Sequence, residues 1–332
     1  MTHYVLHGLN PSPYSVKMRA ILRYRRIPFA WQATGNPREV AVAAGLPPVI
    51  PVLVFPDGTA MNDSTPLAHA LERAHAGRSI VPDDPAHAFL SDLLEDFGDE
   101  WVTKMMFHYR WYYAADRAFA QDWVVTSRDP VMPEAERRAA KQAFNDRQVG
   151  RMAMVGCTDQ NRPVIEDSYR FVLDTLDRHV RALPFLFGSR PSLADFGLFG
   201  QLQILSVDPT PMAEMRARAP DVYCWLLRLD DASGVEGEWL DAALPLPETL
   251  TALLAHCAGT YLPFLAANTR ALQEGAAQVA LSIGGRPYVQ APFRYQGKCH
   301  DALRKKLAAL PDEVRRRLDP VLEETGCIHY LG

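Results

Sequence analysis

The sequence has few cysteines, and they form no recognisable pattern. The chain of 332 residues carries five, an odd and widely spaced set without a C-x-x-C pair: Cys157, Cys224, Cys257, Cys299 and Cys327. Thiols arranged in this way predict neither a disulfide framework nor a zinc site. They are typical of a reducing compartment, and we therefore expect a cytoplasmic protein.

Strong charge and long apolar runs are missing as well. The net charge of −4 is mild and predicts no attraction to nucleic acid or to anionic lipid. The N-terminus has no charged region followed by an apolar core, so no secretion signal is expected. No apolar run approaches the ~20 residues that a bilayer span requires. We therefore expect neither a nucleic-acid partner nor insertion into a membrane.

The motifs of several enzyme classes are absent. The sequence contains no G-x-S-x-G, no H-E-x-x-H, no P-loop and no G-x-G-x-x-G. Their absence argues against the hydrolases, zinc proteases and nucleotide-binding enzymes that use them. No metal site is predicted. The basic runs at residues 304–306 and 315–317 have acidic neighbours and are typical of solvated helix faces.

The most informative stretch that is present is N-P-S-P-Y-S at residues 10–15. An apolar run precedes it, and residues 16–26 follow it with helical spacing. The turn therefore joins a strand to a helix start, where free N–H donors and the helix dipole favour an anion such as a thiolate. Ser12 ends the strand and faces this helix start, whereas Ser15 is the better placed helix cap.

The first 80 residues alternate as βαβ followed by αββα. Strands are predicted at residues 3–9, 27–34, 49–55 and from 59, and helices at 15–26, from 37, and at 63–76. We expect the first two strands to be parallel, because a helix joins them, and the last two to form a hairpin. Pro51 interrupts the third strand near its start, a position that the sheet tolerates.

Beyond a linker at residues 77–85 the pattern becomes helical. Amphipathic segments occupy residues 86–120, 134–155 and 164–183, and a capping box at residues 192–195 begins a strongly apolar helix. The last residues add a helix at 248–274, a hairpin-like stretch at 278–295 and two short helices. The sequence thus predicts an α/β unit at 1–77, an all-helical unit at 86–240 and an extension at 241–332 that packs on the body.

Four of these features together resemble the glutathione transferase family. S-P-Y-S at residues 12–15 stands where the family has its active-site turn, and I-P at 50–51 matches the valine–cis-proline pair that opens its third strand. D-S at 63–64 and R-P-S-L-A-D at 190–195 match the start of its third helix and the capping box of its helical domain. The resemblance covers about residues 3–230. It implies a thioredoxin-like α/β N-terminal domain followed by an all-α helical bundle, with a long C-terminal extension beyond the usual family length.

The resemblance implies that glutathione is the co-substrate and that Ser12 activates it. The Ser12 hydroxyl would donate to the glutathione sulfur and lower the pKa of the thiol. A cis bond between Ile50 and Pro51 would turn the Ile50 backbone outward, to pair with the cysteinyl backbone of glutathione as an added strand. The structural alternatives are that Ser12 only caps the helix and that Pro51 only shapes the strand.

The resemblance also implies how the two ends of glutathione are held. Asp63 would bind the γ-glutamyl ammonium, and Ser64 would bind the γ-glutamyl carboxylate at the helix start. Ordinary helix capping is the alternative for both residues. Arg38 is the only cation between residues 32 and 49, and it is therefore the candidate for the glycine carboxylate.

The richest aromatic stretch lies at residues 100–113. Met105, His108, Tyr109 and Tyr112 are spaced so that they share one face of a helix. In the family this helix faces the active-site cleft and the dimer partner. The four residues are therefore candidates for an apolar electrophile pocket, and packing in the core or against a second subunit is the equally weighted alternative.

The resemblance thus implies a serine-type glutathione transferase that acts on an apolar electrophile as a homodimer. Two serines at the positions of a C-x-x-C pair argue against thiol–disulfide exchange. A glutathione-dependent isomerase or dehalogenase using the same site is an alternative. A non-catalytic binding or interaction protein is another, and the long extension favours it.

Overall fold

The computed structural model describes residues 3–332, and residues 1 and 2 of the first predicted domain lie outside the described residues. The N-terminal region has a small sheet with helices around it. Its elements are β1 (Tyr4–His7), α1 (Pro13–Tyr24), β2 (Phe29–Gln32), α2 (Pro37–Ala43), β3 (Val52–Val54), β4 (Ala60–Asn62) and α3 (Ser64–Ala74).

The sheet is mixed, with strand order β2-β1-β3-β4. Strand β1 is parallel to β2, with Tyr4 opposite Phe29, because α1 carries the chain back to the same end of the sheet. Strands β3 and β4 form an antiparallel hairpin, and β3 is also antiparallel to β1. The parallel β1–β2 pairing and the β3–β4 hairpin confirm the predictions from the sequence. Leu6 and Leu53 from the sheet are fully buried in one core with Ile21 and Leu67 from α1 and α3.

Helices make up the next region. Its elements are α4 (Pro85–Phe97), a π-helical turn (Gly98–Val102), α5 (Thr103–Tyr112), α6 (Ala114–Arg128), α7 (Glu134–Val149), α8 (Met152–Val155), α9 (Arg162–Ala182), α10 (Leu193–Leu205), α11 (Pro209–Arg218) and α12 (Pro220–Asp230). The amphipathic segment predicted over residues 86–120 consists of α4, α5 and the start of α6, with a π-helical turn between the first two. Such turns are often found at functional sites.

Helix α10 lies at the centre of this region, and nearly all of its side chains are buried. The predicted capping box is present, since Ser192 and Asp195 exchange hydrogen bonds at its start. Glycines let its neighbours approach closely: a Cβ at Gly197 would lie 2.9 Å from the Cα of Glu95, and one at Gly200 would lie 2.8 Å from the carbonyl oxygen of Pro13. Helix α10 therefore packs directly against the start of α1, next to the turn at residues 10–15.

The C-terminal extension forms helices around one hairpin. Its elements are α13 (Glu248–Gly259), α14 (Tyr261–Glu274), β5 (Val279–Ile283), β6 (Arg286–Gln290), α15 (Arg294–Ala308), α16 (Asp312–Thr325) and α17 (Ile328–Leu331). The hairpin was expected from the alternating pattern at residues 278–295. Gln290 accepts a hydrogen bond from the buried Lys104 (2.7 Å), and the Asn161 side chain pairs with both backbone groups of Val289 (2.8 and 3.0 Å). These contacts fix β6 against α5 and the start of α9.

The helix pair α13–α14 is the one segment of residues 3–332 that is long and apolar enough to cross a membrane by length and composition. Within the protein, however, 56% of its most apolar window is buried. Leu253, Leu254 and Phe264 are fully buried in the core, which is how a core helix behaves.

Candidate active site

A cleft of about 630 Å³ opens between the sheet domain and the helices. Its volume lies in the range of small-molecule sites. Five of the residues that the sequence singled out line it: Ser12, Arg38, Ile50, Asp63 and Ser64. Pro51 is buried beside Ile50.

Ser12 is the N-terminal cap of α1. Its hydroxyl oxygen accepts a hydrogen bond from the Ser15 backbone N–H (3.4 Å), so Ser12 and not Ser15 caps the helix. The hydroxyl oxygen of Ser15 is buried without a hydrogen-bond partner among residues 3–332. Capping uses an acceptor lone pair of Ser12 and leaves its hydroxyl proton available. Ser12 can therefore cap the helix and donate to an anion in the cleft at the same time.

Arg110 on α5 holds the turn in place. Its guanidinium donates to the carbonyl oxygen of Pro11 (2.9 Å) and forms a two-point ion pair with the buried Asp208 (2.7 and 3.0 Å). A planar guanidinium with two fixed partners has little freedom to move. Sequence reasoning missed this residue, because its partners lie about 100 positions away on either side.

The peptide bond between Ile50 and Pro51 is cis, as predicted. No group among residues 3–332 forms a hydrogen bond with the N–H or C=O of Ile50. Both backbone groups therefore remain available in the cleft to an extended ligand.

The start of α3 has free backbone donors. Asp63 has a backbone φ of 76°, which is uncommon for a residue other than glycine, and its side chain does not cap the helix. The backbone N–H groups of Ser64 and Thr65 have no acceptor among the described residues. The Ser64 hydroxyl is already engaged, since it donates to Asp99 Oδ2 (3.2 Å). A carboxylate at this helix start would therefore be held by the backbone rather than by that hydroxyl.

A group of four acidic residues around the π-helical turn, here called the acidic cluster, lies next to this helix start: Glu95, Asp96, Asp99 and Glu100. The fully buried Lys17 bridges Glu95 (2.5 Å) and Asp99 (2.6 Å). Burial acts to lower the pKa of Lys17, but these two carboxylates outweigh it and raise the pKa.

The remaining carboxyl groups of this cluster resist ionisation. Burial raises the pKa of Asp96 to about 7. Burial also raises the pKa of Glu100 well above its ordinary value, and the charges of Asp96 and Asp99 add to this effect. The Tyr261 hydroxyl donates to Asp96 Oδ2 (2.7 Å). The negative charge of the acidic cluster is therefore limited by one lysine, which pairs with two carboxylates, and by protons that the other carboxyl groups retain.

Four arginines, here called the arginine cluster, line another part of the cleft: Arg38, Arg128, Arg147 and Arg151. The Gly35 N–H donates to the carbonyl oxygen of Arg128 (2.9 Å), which ties the end of α6 to the loop before α2. None of the four guanidinium groups has an ion-pair or hydrogen-bond partner within residues 3–332. Burial and the positive charges of the other three lower the pKa of Arg38.

The four residues predicted for the electrophile pocket do not line the cleft, and this prediction is corrected. Met105, His108 and Tyr109 are buried against α9, where His108 pairs with Glu166 (3.0 Å), and the Tyr112 hydroxyl donates to Asp159 (2.6 Å). The opposite face of α5 lines the cleft through these residues: Thr103, Met106, Phe107, Arg110 and Trp111. Both faces of this helix carry aromatic side chains, so the apolar pattern could not distinguish them.

The C-terminal extension forms part of the cleft. Phe293, Tyr295 and Gln296 line the cavity at the start of α15. The Tyr295 hydroxyl donates to Asp63 Oδ2 (2.9 Å), and Gln296 donates to the carbonyl oxygen of Glu100 (3.2 Å). No local sequence signal marks these contacts, because they join segments more than 190 residues apart.

Comparison with known proteins identifies the family. A model of the glutathione S-transferase N-terminal domain matches residues 6–79, and a model of the C-terminal domain matches residues 166–258. The chain belongs to the glutathione S-transferase family. The thioredoxin-like domain and the helical domain predicted from the sequence are confirmed. The α6–α8 segment and most of the extension fall outside both matched ranges.

Several solved structures are similar in fold. A glutathione S-transferase from Methylobacterium radiotolerans, in complex with glutathione sulfonate, is 22% identical (TM-score 0.42; 72% of this chain and 96% of that chain). A β-etherase from Sphingobium is 19% identical (TM-score 0.43; 69% and 95%). A related protein from Pseudomonas syringae is 20% identical (TM-score 0.45; 75% and 78%). No curated protein matches the sequence.

Proposed function

We propose that this protein is a glutathione transferase in which Ser12 activates the glutathione thiol. The Ser12 hydroxyl donates to the sulfur and, with the dipole of α1, stabilises the thiolate. The thiolate attacks an electrophilic carbon and forms a C–S bond, while the bond to the leaving group breaks and that group departs with the electron pair. The thiol proton passes to solvent before the attack.

The observation that carries this proposal is the convergence of three groups on one cleft. The hydroxyl proton of Ser12 is uncommitted, the backbone groups of Ile50 are unpaired, and the N–H groups at the start of α3 are free. Together they offer a donor for a thiolate, a strand edge for a peptide and a site for a carboxylate. These are the chemical parts of glutathione.

The test of this proposal replaces Ser12 and compares Ser15. We expect Ser12→Ala to lower kcat for conjugation of 1-chloro-2,4-dinitrobenzene by about 10- to 100-fold, the loss of one hydrogen bond to a charged group. Binding of glutathione, measured by calorimetry, should change little. Ser15→Ala removes a hydroxyl that is buried without a partner and should keep near wild-type activity. Equal activity of the two variants would contradict the role of Ser12.

A second candidate function is a binding protein without turnover, and the contact between Tyr295 and Asp63 favours it. The Tyr295 hydroxyl occupies one oxygen of the carboxylate that would bind the γ-glutamyl ammonium. If the extension excludes glutathione, Tyr295→Phe should create or strengthen glutathione binding in calorimetry. Under the transferase proposal, the wild-type protein already binds glutathione and the variant changes its affinity only a few-fold.

We also propose a cytoplasmic homodimer. The free cysteines without disulfide partners among residues 3–332 are compatible with a reducing compartment. Sedimentation at several protein concentrations would test the dimer, and a monomer at all concentrations would contradict it.

A further inference from the structure

The arginine cluster carries more positive charge than glutathione needs. Under the proposed function the glycine carboxylate of glutathione brings one negative charge to Arg38. Arg128, Arg147 and Arg151 then remain in the same cleft without an anion, since no carboxylate among residues 3–332 pairs with them. Guanidinium groups that share a partly buried site repel one another, and a bound anion removes that repulsion.

An aromatic wall lines the same cleft beside the arginine cluster. Phe107, Trp111 and Phe144 belong to it, with ring centroids 6.3 Å apart for Phe107 and Trp111 and 5.6 Å apart for Trp111 and Phe144. Phe144 and Arg147 are three residues apart on α7, so both side chains project from one face of that helix. A ligand in the cleft can therefore contact apolar and cationic groups at the same time.

The geometry points to a co-substrate that combines an aromatic body with an anionic group. We propose that the aromatic wall binds the ring system and that Arg128, Arg147 and Arg151 bind its carboxylate, sulfonate or phosphate. That this ligand reacts with glutathione rests on the proposed function. That the ligand binds in the cleft does not. This inference revises the sequence-based expectation of a purely apolar electrophile.

The segment that supplies these arginines lies outside both matched family domains, since Arg128, Arg147 and Arg151 fall between residues 79 and 166. Arg147 lies in the last turn of α7 and Arg151 lies just past its end, before α8, and the acidic neighbour Asp146 accepts a hydrogen bond from Gln142 instead (2.8 Å). Their charge is thus directed to the cleft.

The test uses two fluorescent probes with the same rings. The sulfonate 8-anilino-1-naphthalenesulfonate and the neutral N-phenyl-1-naphthylamine are titrated into the full chain without glutathione. The measured quantity is the ratio of the two Kd values. In the double variant Arg147→Gln/Arg151→Gln we expect the preference for the sulfonate, measured by this ratio, to be about tenfold smaller than in the wild-type protein, because two charged contacts are removed.

Two controls separate charge from other effects. Arg147→Lys/Arg151→Lys keeps the charge and should keep most of the preference. Arg316→Gln removes an exposed arginine outside the cleft and should leave the ratio unchanged. For the wild-type protein, raising the salt from about 50 mM to about 500 mM should weaken sulfonate binding and leave the neutral probe unaffected.

Each outcome decides the question. A ratio that changes less than about twofold in the double glutamine variant, or a wild-type protein that does not bind the sulfonate, would overturn the inference. The transferase proposal fails separately, by absence of glutathione binding and turnover. If the sulfonate preference holds and turnover exists, kcat/KM for 4-chloro-3,5-dinitrobenzoate should exceed that for its methyl ester.

Discussion

The acidic cluster and the arginine cluster lie at the same cleft, but their charges are balanced in different ways. Glu95 and Asp99 share the buried Lys17, and burial keeps a proton on the nearby carboxyl groups near neutral pH. The arginines have no counter-charge among residues 3–332, and arginine does not lose its proton. The charges of the acidic cluster are therefore balanced within the folded chain, whereas those of the arginine cluster are balanced by a bound anion.

The comparison assigns the two clusters different roles. Substitutions in the acidic cluster should act mainly on the free energy of unfolding, because its charges are buried and paired. Substitutions in the arginine cluster should act mainly on ligand binding and leave stability nearly unchanged, because its members are unpaired and partly solvated.

The largest effect is expected for Lys17→Met. It removes the cation between Glu95 and Asp99 and leaves buried carboxylates without a partner, which costs about 3–5 kcal/mol of unfolding free energy. Urea denaturation followed by circular dichroism measures the loss.

The matched control for Lys17→Met also removes the acids. Adding Glu95→Gln and Asp99→Asn takes away the uncompensated charge and should recover much of the lost stability. A loss below about 1 kcal/mol for Lys17→Met alone would contradict the account that Lys17 is needed to balance the charge of Glu95 and Asp99.

A pH-dependent effect is expected for Asp96→Asn. Because burial raises the pKa of Asp96 to about 7 in the folded state, the folded protein retains this proton where the unfolded chain has lost it. This contribution to stability is full below about pH 4 and is lost as the pH rises to about 7. The variant, whose amide oxygen can still accept from Tyr261, should gain about 2 kcal/mol relative to wild type between pH 5 and pH 8.

Asp92 provides the control of opposite sign, one helical turn before Asp96. Burial acts to raise its pKa, but hydrogen bonds from His69 and Lys306 and their charges outweigh burial and lower it. Its contribution is present above the ordinary aspartate pKa and is lost as the pH falls. Asp92→Asn should therefore lose stability relative to wild type near neutral pH, and less so in acid. The same sign for both variants would contradict this account.

The sequence predicted those parts of the fold and site that depend on short-range signals. The turn at residues 10–15, the proline that follows Ile50 and the serine at 64 each mark a strand end or a helix start, so the places of Ser12, Ile50 and Ser64 in the cleft follow once the sheet order is known. Strand pairing followed from the connecting helix and the tight turn in the same way.

The parts that could not be predicted depend on long-range packing. The π-helical turn at Gly98–Val102 leaves no signal in the apolar pattern, and both faces of α5 carry aromatic side chains, so the pattern could not show which face lines the cleft. Arg38 and Arg147 come together only in three dimensions. One signal was available: Arg147 and Arg151 lie four residues apart without an acidic residue at a pairing distance along the helix.

The smallest effect is expected for Arg38→Gln, which tests the other half of the comparison. Arg38 is half-buried and unpaired, so its loss should leave the unfolding free energy within about 0.5 kcal/mol of wild type. Loss of one partly solvated contact with the glycine carboxylate should raise KM for glutathione about fivefold, with kcat little changed, because the carboxylate is bound equally in the ground and transition states.

The matched control is Arg73→Gln, which replaces an exposed arginine on α3 outside the cleft. A change in KM for the control as large as for Arg38→Gln would mean that overall charge, not the arginine cluster, attracts glutathione. A large loss of stability in Arg38→Gln would instead place this arginine with the buried, self-balanced charges of the acidic cluster.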